Sequence, residues 1–122
     1  MAQNRTLRVG PVALTNTLTT NILNPAAAGA GVGYTPTASY IILRHIRIVN
    51  KTAGAITFSL WLGATGANAA GTEFIGTGLS VAANSAFDWY GIARLDAADF
   101  LVGGASALTS LTLEAEGEIG LV

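Results

Sequence analysis

YIILRHIRIVNKTAGAITFSLWLG, residues 40–63, decides the fold class. In its first half Ile42, Ile46 and Ile48 share one face and His45, Arg47 and Val49 the other, which is the two-residue period of a half-buried strand. Lys-Thr-Ala-Gly at residues 51–54 has turn composition. Beyond it Ile56, Phe58, Leu60 and Leu62 alternate with Thr57, Ser59 and Trp61. Two alternating runs around a short turn predict a hairpin.

Working outward, Val12, Leu14, Leu18 and Ile22 share a parity opposed by Thr15, Thr17, Thr19 and Asn21, so residues 12–22 are expected to form a strand. Residues 1–11 are polar and carry Arg5 and Arg8. They are expected to form an extended N-terminal arm whose removal leaves a folded domain. Residues 24–39 are a low-complexity connection of Ala, Gly and Pro, and residues 64–72 are a second loop. Two further strands flank a turn at residues 82–85, and FLVGG, LTSLTLEAEG and EIGLV add more. LDAADF, residues 95–100, offers only a single turn at a corner. The chain is therefore expected to be all-β, a β-sandwich or jelly-roll-like single domain over residues 12–122 preceded by the arm.

The chain has 122 residues, of which 51% are apolar and 11% charged, enough for one two-layer core. So few charges leave little polar material to coat a small globule, and part of the surface is expected to lie against neighbours. A net charge of −1 provides no electrostatic footprint for nucleic acid or anionic lipid. The absence of cysteine excludes disulfides and thiolate chemistry. The first residues lack the apolar core of a signal peptide, and no run approaches the roughly 20 apolar residues of a membrane span.

Catalytic readings find little support. The single histidine, His45, lies within a strand, and no nucleophile elbow presents a serine. Glu114, Glu116 and Glu118 alternate and so share a strand face. The ladder could meet Arg5, Arg8, Arg44 or Arg47 of this chain or a neighbour, and the face reads first as a solvated edge guard, second as a set of inter-subunit ion pairs and third as a Ca²⁺ ladder. GAGVG at residues 29–33 is followed by Tyr-Thr-Pro rather than a helix, so it is no phosphate loop. Asn4 and Asn50 match the glycosylation sequon by chance. No cofactor or metal is expected. In ANSAFDWYG, residues 83–91, alternation sends Phe87 and Trp89 to one side and Asp88 and Tyr90 to the other. Asp88, Tyr90 and Trp61 then cap the barrel end, form a sugar-stacking platform, or line a subunit interface.

The ordered strings RHIRIVNKTAGAITFSLWLGATGANAAGTEFIG, LSVAANSAFDWYG and LDAADFLVGGASALTSLTLEAEG resemble a recurrent small structural protein of tailed bacteriophages, over roughly residues 40–117. The shared pattern is one of fold-building residues. Where members of that family often have Gly-Asp at the corner, this chain has Ala98-Asp99. The resemblance implies a non-enzymatic virion protein assembled in the host cytoplasm. The leading expectation is a capsid decoration (cement) protein, a homo-oligomer, with a trimer favoured, bound to the major capsid protein. A tail or head-to-tail subunit is the alternative, and a carbohydrate-binding module using Trp61, Trp89 and Tyr90 is the alternative from another class. Under this resemblance Arg5, Arg8, Tyr34 and Pro36 are expected at the capsid contact. His45, Arg47, Trp61, Asp88, Tyr90, Glu114 and Glu116 are expected at the subunit interface.

Overall fold

The computed structural model describes residues 3–24, 40–64, 66, 68–96 and 98–121, with side chains throughout except at 3–7, 77 and 119–121. Its eight strands are β1 (Gln3–Ala13), β2 (Asn21–Leu23), β3 (Tyr40–Asn50), β4 (Ile56–Gly63), β5 (Phe74–Val81), β6 (Ala86–Asp96), β7 (Phe100–Ala105) and β8 (Leu111–Leu121). They form two four-stranded antiparallel sheets, A in the order β1-β8-β3-β6 and B in the order β2-β7-β4-β5. The first strand pairs with the last, the second with the seventh, the third with the sixth and the fourth with the fifth. This nested pairing is a jelly roll, the arrangement reached when one long hairpin is rolled into two facing sheets.

The topology corrects the expected hairpin over residues 40–63. β3 belongs to sheet A and β4 to sheet B, so the turn between them carries the chain across the sandwich. Asn50 holds this corner. It is buried, its amide donates to the carbonyls of Gly54 and Val81, at 2.8 and 3.0 Å, and its side-chain oxygen accepts from the Thr52 amide and hydroxyl. A buried amide in this position stays in place because every polar atom is partnered.

The inward faces meet as one core, with Leu43, Ile46, Ile48 and Leu113 of sheet A against Phe58, Leu60 and Leu101 of sheet B. Parity along β3 breaks at Arg44, because Ile41 and Leu43 point inward and so do Ile46, Ile48 and Asn50. Ile42, expected in the core beside Ile46 and Ile48, is therefore only half-buried. The cause is a register shift between Leu43 and His45 against both neighbouring strands. Such a bulge carries one strand's side chains to the opposite face while the neighbours keep theirs. On β8 the bulge faces Gly117, where a Cβ would collide with the Ile42 carbonyl oxygen, so only glycine lets the backbones approach.

Residues 12–22 do not form the expected single strand. β1 ends at Ala13, and the chain turns before β2 begins at Asn21. The threonines that argued for β structure instead bond locally. The Thr15 and Thr20 hydroxyls meet at 2.6 Å, and the Thr20 hydroxyl donates to the Thr17 carbonyl at 2.9 Å. Short hydroxyl side chains stabilise turns in this way in competition with the ladder. The turn lies on β7, whose Gly103 and Ala105 amides donate to the Thr20 and Thr15 carbonyls.

Nor do the residues expected in an arm stand apart from the domain. From Gln3 onward they pair with β8 from Leu121 back to Thr112, and Val9 is fully buried in the core. The polarity of the stretch is that of an edge strand with one wet face. Deleting residues 2–11 is expected to uncover β8 and to lower the urea midpoint of unfolding, since burial of Val9 alone contributes about 1.5–3 kcal/mol. An unchanged midpoint would show that β1 adds nothing to the domain. Replacing Asn50 by Ala is expected to cost about 1–3 kcal/mol, because the facing carbonyls lose their donor. Equilibrium denaturation checks the size of the loss.

Candidate interaction surface

The outer face of sheet A gathers most of the charge of the chain. Arg8, Arg44, Arg47 and Arg94 lie on it with Asp88, Asp96, Glu114, Glu116 and Glu118. Inward positions are occupied by core side chains, so alternation leaves these residues no other face.

Across the middle of the sheet the signs alternate strand by strand. Arg8 on β1 approaches Glu114 on β8 at 3.4 Å, Glu114 lies opposite Arg47 on β3, and Arg47 reaches Asp88 on β6 through Nε at 2.8 Å. Arg44 holds Glu118, with Nε at 2.8 Å. The carboxylates of the Glu ladder are thus drawn in opposite directions, Glu114 toward β1 and Glu118 toward β3. Among the described residues no group of three or more His, Cys, Asp or Glu side chains is placed to hold a metal ion. Exposed pairs of this kind contribute little stability each. Their effect is to leave the face charge-balanced.

Asp88 is the centre of the pattern. Its carboxylate accepts from Arg47 and lies 2.7 Å from His45 Nε2. Hydrogen bonds from Arg47 and then His45 hold the carboxyl below the ordinary aspartate range, against a smaller opposing effect of burial, and the same contact raises the Arg47 guanidinium. Tyr90 stacks on the His45 ring with centroids 4.5 Å apart and planes 7° from parallel. His45, Arg47, Asp88 and Tyr90, assigned separately from the sequence, therefore form one cluster. Glu114 reaches Arg8 at its side. Glu116 is exposed and lies in register with both Arg8 and His45.

Trp61 does not belong to this surface. It is 4% exposed, and its indole N–H donates to the Ala69 carbonyl at 3.0 Å. Parity correctly put the ring on the non-core side of sheet B, where residues of the following loop cover it. Trp89 points inward, edge-on to Phe74 at 5.0 Å, and Phe87 packs against Phe58. The rings of Trp61, Trp89 and Tyr90 thus share no common platform. The side chain of Arg5, and Tyr34 and Pro36 altogether, lie outside the described residues.

Two exposed features were missed in the sequence. Ile92 is 71% exposed beside Tyr90 at 70%, and Arg94 lies over the Tyr40 ring, 4.3 Å from its centroid. Both could have been found by continuing the alternation of Asp88 and Tyr90 past Gly91. No protein-family model matches the chain, and a search of curated proteins finds no match.

The Asp88 cluster predicts a pH dependence. A carboxyl whose pKa is lowered on folding stabilises the fold above its unfolded value, about 4, and that contribution is lost as pH falls through the lower folded value. Asp88→Asn is expected to lower the urea midpoint at pH 7 and to differ much less from the parent at pH 2. An equal deficit at both values would mean that the charge of Asp88 has no part in it.

Proposed function

We propose that this chain is a non-enzymatic virion structural protein, a capsid decoration subunit that binds the major-capsid lattice and stabilises it. The observation that carries the reading is the character of sheet A. Its charged groups are largely spent on one another across a broad open face, while its two most exposed large apolar side chains among the described residues, Tyr90 and Ile92, lie together on the edge strand β6. Such a surface suits lateral contact with protein better than capture of a small molecule, for which convergent polar groups in a concavity are the usual arrangement.

Three further points support it. The jelly roll is a recurrent architecture of viral shells, although a fold alone does not assign a function. The histidine lies on the open sheet face, shares its carboxylate with Arg47 and is covered by Tyr90. The resemblance to small structural proteins of tailed phages spans strands β3 to β8. Stabilisation of a shell would arise from many weak contacts repeated by the symmetry of the lattice, so no reacting residue is required.

Mixing the purified chain with empty shells of its phage is the direct test. Saturable cosedimentation, regular added density on the lattice in electron micrographs and a higher temperature of shell disruption are expected. Density confined to a ring at the portal or tail would transfer the protein to the head-to-tail class. Absence of binding to any particle would remove the virion reading.

A further inference from the structure

A sandwich of two open sheets has four edge strands, and exposed edges invite pairing unless they are blunted. Three of them are blunted here. β1 carries Pro11, which lacks an N–H, and a register shift between Val9 and Val12. β2 has only three residues. β5 has left-handed backbone at Ile75 and Gly78 and a register shift against β4.

β6 is different. It is 11 residues long, without proline or lysine. The alternation along it is unbroken, with Phe87, Trp89, Ala93 and Leu95 inward and Asp88, Tyr90, Ile92 and Arg94 outward. β6 does have a register shift against β3, where Gly91 and Ile92 stand opposite Arg44 alone, but the shift leaves the alternation of β6 intact and breaks parity on β3 instead. Gly91 stands at the midpoint, where a Cβ would come within 2.7 Å of the Trp89 ring.

We propose that β6 is a self-association edge: two copies of the chain pair β6 antiparallel about a two-fold axis at Gly91, joining both A sheets into one continuous eight-stranded sheet. The sequence of the edge is complementary to itself in this register. Asp88 stands opposite Arg94 of the second copy, Tyr90 opposite its Ile92, and both relations recur across the axis, as an isologous contact requires. Opposite charges and an aromatic with a β-branched residue are the stabilising cross-strand pairs. Sliding the second copy by two residues sets Asp88 against Ile92 in one direction and against Asp96 in the other, so the charge match selects the register. Pairing would also cover Tyr90 and Ile92, the two most exposed large apolar side chains among the described residues. A two-fold contact differs from the trimer that the phage resemblance implies, and it does not depend on the proposed lattice binding.

Sedimentation velocity and native mass measurement of the full chain test it. The parent is expected to be a dimer at micromolar concentration. Ile92→Lys, at a side chain that is mostly in water, is expected to leave the thermal transition of the monomer unit in place and to raise the dimer dissociation constant at least tenfold. Asp88→Arg and Arg94→Asp are each expected to be monomeric, because like charges then face each other, and to form a one-to-one heterodimer when mixed. Should Asp88→Arg fail to fold on losing Arg47 and His45, Ile92→Lys decides the matter alone. A monomeric or trimeric parent, a dimer untouched by Ile92→Lys, or folded charge variants that ignore each other would each overturn the proposal.

Discussion

A four-stranded sheet with one oily face cannot stand in water, and the rest of this structure depends on how that face is covered. Leu43, Ile46, Ile48 and Leu113 need a second sheet, and Phe58, Leu60 and Leu101 supply it. Because the chain has no cysteine, the contact between the two faces must hold the domain through packing. The nested pairing follows from the same need. Each strand's partner lies in its own sheet while its neighbours in sequence mostly lie in the other, so both layers assemble together.

The cost of this arrangement appears at the corners and at the bulge. The chain must leave one sheet and enter the other without exposing unpaired backbone, and Asn50 does this at the β3–β4 turn by satisfying carbonyls from two segments. The shift at Arg44 lets β3 stay in register with β8 and β6 although the three strands need different numbers of residues to cover the same span. Gly117 admits the close approach that the shift requires. A chain with a side chain there would have to part β8 from β3.

With the inner faces fixed, the outer face of sheet A receives whatever remains. It receives nearly all the arginines and glutamates; Arg8, Arg44 and Arg47 each meet a carboxylate on the next strand, and Arg94 meets Asp96 on its own. Two consequences follow for function. The face has little net charge with which to draw a polyanion, and among the described residues its largest apolar exposure is at Tyr90 and Ile92 on β6. The proposed lattice binding and the proposed edge pairing both make use of this surface.

The amino-acid sequence by itself determined the all-β class, the inward sets of β4 and β6 and the grouping of Glu114, Glu116 and Glu118, because a period of two is a local property of an extended chain. It also placed His45, Arg47, Asp88 and Tyr90 on outward positions. Tertiary structure alone decided that β3 and β4 part company, that Ile42 leaves the core, that residues 3–11 enter a sheet and that Trp61 is covered by its own loop. Each of these rests on which strand lies beside which. Pairing is chosen by the burial of whole faces, so no window of neighbouring residues contains the information.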